Sequence, residues 1–170
     1  DNYHIPGGVQ PNSFVDSNGY SIGGSFVGRD GFLGVAFTRF NSLYAVPGIE
    51  ATSVKSRIDM VQDKIAAKGE WRIRDFGIEA IRASFGFADY AHNEVIDEGA
   101  GDTVGSRFTN KEHEGRFEVD HARLMTPFGV LRGTAGIQVS NRDLVGLSFE
   151  GDNLLEPNTT RKTAGFLFEE

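Results

Sequence analysis

Cysteine is absent from the 170-residue chain, which excludes disulfides, thiolate metal sites and a cysteine nucleophile. No apolar run approaches the roughly 20 residues of a membrane helix, and the N-terminus lacks the charged and apolar regions of a signal peptide. A membrane is not thereby excluded, because a transmembrane β-strand needs only about 9 to 11 residues with one apolar face. Basic clusters are also missing. The 17 Lys and Arg residues are scattered among 24 Asp and Glu, for a formal net charge of -7. That balance argues against a nucleic-acid partner, which clustered cations would have to hold. It fits cationic ligands, or simply solubility. No Gly-x-Ser-x-Gly elbow occurs, and the glycine-rich "SIGGSFVGRDG" lacks the Gly-Lys-Ser/Thr of a phosphate loop.

What is abundant is glycine, at 22 residues, and phenylalanine, at 14, with the usual helix formers sparse. This is β composition. Period-two alternation predicts an all-β, antiparallel up-and-down meander of about seven strands, in a single unit spanning 1–170. The strands fall near Tyr20 to Gly28, Phe32 to Leu43, Arg57 to Arg74, Ile78 to Val95, Arg107 to Leu124, Val130 to Asp143 and Arg161 to Glu169. Three connections are short and end in glycine: "RDG", "DFG" and "MTPFG". They alternate with longer ones, "NSLYAVPGIEATSV", "IDEGAGDTVGS" and "EGDNLLEPNTT". In a meander this puts tight turns on one rim and long loops on the other, the asymmetry of outer-membrane barrels.

Turn chemistry predicts register. A three-residue hairpin loop commonly ends in a left-handed residue, and Gly77 supplies it in "DFG". Arg74 then pairs with Ile78, Trp71 with Ile81, Gly69 with Ala83, Ala67 with Phe85 and Ile65 with Phe87. That face is apolar. The other face pairs Glu70 with Arg82, Lys68 with Ser84 and Lys64 with Ala88, and is polar. The "MTPFG" turn, taken as pairing Leu124 with Val130, sets Phe117 against Ile137 and Gly115 against Val139. It also sets Arg116 against Gln138 and Glu112 against Arg142. The first hairpin is less clean: Leu33, Val35 and Phe37 are expected on one face, with Phe26, Phe32 and Phe40 on the other. Trp71, Phe76 and Phe128 gather near the short turns, and Phe40 and Tyr44 near a long loop, as in the two aromatic girdles of a membrane barrel.

Glu112, Glu114, Glu118 and Asp120 share one face of one strand. Their spacing is compatible with a carboxylate pair of a hydrolase, but a row of charges on a solvated face explains them better. No enzymatic activity is expected and no cofactor is implied.

The run "RIDMVQDKIAAKGEWRIRDFGIEAIRASFGFADYAHNEV", with "GSRFTNKEHEGRFEVDHARL" and "GVLRGTAGIQVSNRDL", resembles consecutive strands of a TonB-dependent outer-membrane receptor, and "GFLGVAFTRFNSLYAVPG" resembles the strand and external loop before them, in the style of the zinc- and siderophore-receptor-like branch. The resemblance implies part of a transmembrane β-barrel of about 22 strands in the bacterial outer membrane. Such a receptor binds a scarce nutrient, such as a metal chelate or siderophore, and imports it with energy passed through the TonB system. Plug, TonB box and closing strands are expected to be absent here, so the chain alone is not expected to transport. Its partners would be outer-membrane lipid and, through exposed edge strands, other copies of itself.

Within that resemblance Tyr90, His92, Glu112 and Arg142 are the candidate ligand-binding residues, lining the lumen or outer rim. An ordinary solvated face of a β-ribbon is the favoured explanation of these residues, because histidine metal sites need convergent ligand geometry. A different architecture satisfies the same alternation: a soluble β-barrel-like binding module whose apolar face closes around a small hydrophobic ligand.

Overall fold

A computed structural model describes residues 1–48, 54–73 and 77–170. The described residues contain no helix. Two short strands, β1 (His4–Ile5) and β2 (Gly8–Val9), form a hairpin through Pro6 and Gly7. Seven long strands follow: β3 (Val15–Val27), β4 (Gly31–Val46), β5 (Lys55–Arg72), β6 (Ile78–Asp97), β7 (Asp102–Thr126), β8 (Gly129–Ser148) and β9 (Leu155–Glu169). They pair antiparallel in chain order, β3-β4-β5-β6-β7-β8-β9. The meander expected from alternation is therefore present, and the small leading hairpin is an addition to it.

The strands run further than expected on the long-loop rim. "IDEGAGDTVGS" shrinks to a connection over 98–101, and "EGDNLLEPNTT" to one over 149–154. Backbone pairing there continues through Asp, Thr, Ser and Asn, which satisfy the ladder without an apolar rhythm to announce it. Arg74, Asp75 and Phe76 lie outside the described residues, and so does the expected Arg74–Ile78 pair; Gly77 has the left-handed φ of 74° that the turn requires.

Registers across β5–β6 are as expected, from Arg72 opposite Ala80 to Lys55 opposite Asp97. Two expectations change. Phe26 pairs with Leu33, which moves it onto the apolar face; Phe32 and Phe40 stay on the other. The "MTPFG" turn is tighter than five residues: Thr126 pairs with Gly129 and Leu124 with Leu131. A bulge then sets Ala122 and Arg123 against Arg132 alone, which restores the pairing of Val119 with Ala135, Phe117 with Ile137 and Glu112 with Arg142.

These registers stack into rows across the sheet. One row runs Phe26, Leu33, Gly69, Ala83, Phe117, Ile137, Gly165, and the next Gly24, Val35, Ala67, Phe85, Gly115, Val139, Thr163. This apolar side is called the Trp71 face. From Ile65 on β5 to Ile73, one residue past the end of that strand, it spans nine residues, within the span a tilted strand needs to cross a bilayer. It ends abruptly at a charged row of Arg39, Asp63, Asp89, Lys111 and Asp143. On β7 to β9 polarity begins one row nearer the short turns, at His113, Asn141 and Arg161, and the apolar stretch extends instead to Leu124 and Leu131. The band thus drifts across the sheet, as a level band does across tilted strands.

The opposite side, the Arg82 face, carries an ion network near the short turns. Arg82 reaches Asp120 at 2.5 Å, Glu118 at 3.3 Å and Glu70 at 4.0 Å. Thr134 donates to Asp120 at 2.7 Å, and Arg116 grips Glu118 at 2.6 Å. The Phe166 ring lies over Gly136, whose missing side chain makes room for it, and the Arg116 guanidinium sits 4.3 Å above that ring. These contacts join strands β5 to β9 on one side.

Among the described residues no second layer covers either face. Ala45 and Ala80 are the buried apolar ones among the described residues, and no large side chain there is fully buried. The accessible area is 11738 Å², against about 8,200 Å² for a compact protein of this mass. Exposure is also inverted relative to a water-soluble sheet: on β8, Ala135, Ile137 and Val139 are exposed while Gly136, Gln138 and Ser140 are half-buried. Trp71 is 61% exposed and Phe85 46%. The sheet is open, with β3 and β9 unpaired to each other, so these strands form no closed barrel of either kind.

Candidate functional site

Beyond the apolar band, toward the long-loop rim, the two faces exchange character. Past its charged row the Trp71 face is mixed, with Asp59, Arg57 and Arg107 among Val61, Ala91 and Val145, while the Arg82 face gains an aromatic and apolar patch: Tyr44, Ile58, Met60, Tyr90, His92, Phe108 and Leu144 lie on it, all half-buried. Row pairing brings them together. Met60 is opposite His92 and His92 opposite Phe108, with Tyr90 one row away between Gln62 and Asn110.

His92 is the centre of this patch. Its ring stacks on Phe108 at 4.8 Å with 16° between planes, and the Tyr90 ring stands edge-on to it at 5.5 Å. The Tyr90 hydroxyl lies 2.8 Å from His92 Nδ1; with Nε2 carrying the proton, the phenol donates. Nε2 is 4.0 Å from Glu94, which in turn accepts from the Ser106 hydroxyl. Burial pulls the His92 imidazole below its ordinary pKa, with Glu94 opposing more weakly. Burial also raises the Tyr90 phenol, and the Tyr44 phenol adds to that. The pair is therefore a neutral, stacked aromatic platform, suited to flat or apolar ligand groups with a hydrogen-bonding edge.

Because the folded-state pKa of His92 is depressed, its contribution to stability is complete above the unfolded value. It is lost as pH falls through the folded one. His92 is expected to titrate below 6.5 when followed by NMR, with the Phe108 ring resonances shifting in step. His92→Phe, which keeps the stack and removes the titration, should flatten that segment of the stability profile.

Glu112 and Arg142, the other two expected ligand residues, also lie on this face, directly opposite each other and one row below Tyr90. They form no ion pair with one another within 4.0 Å. Among the described residues Lys64, Lys68, Glu114 and Lys162 on this side are likewise without an ionic partner, around a floor of Ala66, Gly86 and Ala88. Four residues expected from sequence are thus on one face, in two adjoining groups: an aromatic pair, and a charged pair in a surface whose free charges are four cations and two anions. His113 lies on the opposite, Trp71 face, 4.8 Å from Phe87. No group of three or more metal-binding side chains converges among the described residues.

Neither Phe108 as the partner of His92 nor Tyr44 as a neighbour of the Tyr90 phenol is announced by the sequence. The pairing of Met60 with His92 follows from the Gly77 register, whereas Phe108 reaches His92 only because β7 inserts Gly105 as a bulge between the pairs Glu94–Ser106 and Val95–Val104. Counting back from the 98–101 turn without it puts Phe108 on the wrong side. The chain matches no protein-family model.

Proposed function

We propose that this sheet is part of the wall of a TonB-dependent outer-membrane receptor. The Trp71 face meets outer-membrane lipid, and the Arg82 face borders an aqueous lumen through which a metal chelate, siderophore or similar scarce nutrient is taken up. The observation that carries this reading is the exposed apolar band of the Trp71 face, limited to the height of a bilayer and bounded by charge, opposite a half-covered polar face. A sheet built for water has the reverse exposure. In this reading the Tyr90–His92–Phe108 platform stands at the outer end of the lumen, above Glu112 and Arg142. The free cations Lys64, Lys68, Arg142 and Lys162 suit an anionic chelate. Import itself belongs to the whole receptor and its coupling to the TonB system.

Trp71 is the chain's single tryptophan and so reports directly. In vesicles or nanodiscs, its fluorescence should be quenched by brominated acyl chains and protected from aqueous acrylamide. A thiol placed by Ser84→Cys on the Arg82 face of the cysteine-free chain should remain reactive to a water-borne reagent. Quenching of Trp71 by acrylamide but not by brominated lipid would overturn the assignment.

A further inference from the structure

The first 14 residues form a small closed unit. Gln10 donates to the Tyr3 carbonyl at 3.0 Å, and Tyr3 N–H to Ser13 Oγ at 3.0 Å. Ser13 N–H donates to Asn2 Oδ1 at 2.8 Å, and its hydroxyl to the Gln10 carbonyl at 2.8 Å. The β1–β2 hairpin lies inside this loop. Its own surface is exposed, yet Asn12 and Ser13 are buried, at 9% and 5% exposure.

Asn12 is what binds this unit to the sheet. Its side-chain Nδ2 donates to the Val46 carbonyl at 2.9 Å and to the Ser56 carbonyl at 2.7 Å. Val46 and Ser56 are the last cross-strand pair of β4 and β5 at the long-loop rim, where the ladder stops and carbonyls lose strand partners. One amide therefore satisfies an acceptor on each of two strands. Asn12 adopts a left-handed φ of 52°, which asparagine tolerates better than most residues. The neighbouring attachment is the Ala45 N–H donating to the Phe14 carbonyl at 2.9 Å. Two residues below the clamp, on the Arg82 face, are Tyr44 on β4 and Ile58 on β5.

We propose that residues 1–14 are a latched strap at the long-loop rim, held by the Asn12 amide, which keeps the ends of β4 and β5 together. Release of the strap frees that end of the sheet and loosens the rim beside Tyr44 and Ile58, while the strap's internal hydrogen bonds stay formed. The latch stands on hydrogen-bond geometry and does not depend on what the Trp71 face contacts.

Hydrogen exchange on the intact chain tests it. Asn12→Ala should speed exchange of the Ala45 amide about tenfold, the scale of one lost pair of hydrogen bonds. The Gln10 amide inside the strap and Phe37 amide in mid-sheet should keep wild-type rates. Asn12→Asp exchanges the donor for an acceptor facing two carbonyls and should release the strap at least as far. Asn12→Gly keeps the left-handed backbone and removes the amide; it too should release the strap. Wild-type Ala45 exchange in Asn12→Gly or Asn12→Asp would show that backbone shape holds the segment and would overturn the latch. Equal acceleration at Phe37 would also overturn it, since the effect would then be global.

Discussion

Phe85→Arg is expected to cost the sheet about 2–4 kcal/mol in a bilayer, the penalty for a cation on the lipid side of a membrane strand near mid-depth. Phe85 lies within the apolar rows, between Ala67 and Gly115, on a strand paired on both sides. Its side chain has no route to water along the Trp71 face short of the charged row at Asp89. Ser84→Arg, one residue earlier, puts the same cation on the Arg82 face and should change stability by no more than about 0.5 kcal/mol. Urea unfolding in lipid vesicles measures both. The contrast is the informative quantity: equal effects would mean that both faces meet the same medium. A Phe85→Arg chain that is more soluble and no less stable in detergent-free water would favour a water-facing sheet.

Arg82→Met should be the most damaging single change on the opposite face, at about 2–3 kcal/mol. Arg82 stands among Glu70, Glu118 and Asp120, and its removal leaves three carboxylates facing one another across β5, β6 and β7. A fully buried pair broken in this way costs about 3–5 kcal/mol. The smaller figure applies because Arg82 is 32% exposed and water screens the cluster. Adding Asp120→Asn removes one uncompensated charge and keeps an acceptor for Thr134, so the double variant should recover about 1 kcal/mol. If the double variant is less stable than Arg82→Met, like-charge repulsion is not what the arginine relieves.

The register of β5 with β6 was legible because one glycine, Gly77, marks a turn whose geometry leaves a single pairing for the residues behind it. Trp71, Arg82, Met60 and His92 follow from that turn. The β7–β8 rows were reached through an incorrect turn, since the shorter loop at Pro127–Phe128 and the bulge at Ala122–Arg123 offset each other. Bulges are local choices of backbone shape, and nothing in the alternation of "DHARLMT" marks one. The aromatic patch was half legible: Tyr90 and His92 are neighbours in sequence, but Phe108 joins them only through Gly105. The distal strand ends were not legible, because polar residues can pair through their backbones with no amphipathic pattern. What covers the Trp71 face is likewise not encoded in pairing, since register fixes which residues share a side and not what that side touches.

The unpaired edges carry a geometric consequence. With seven strands in simple alternation, β3 and β9 point the same way, so bringing them together directly would make a parallel seam in an otherwise antiparallel sheet. An all-antiparallel closed wall containing this sheet must supply an odd number of further strands between those two edges, making the total even. Two copies joined head to tail would leave two parallel seams, and such a pairing does not remove the mismatch.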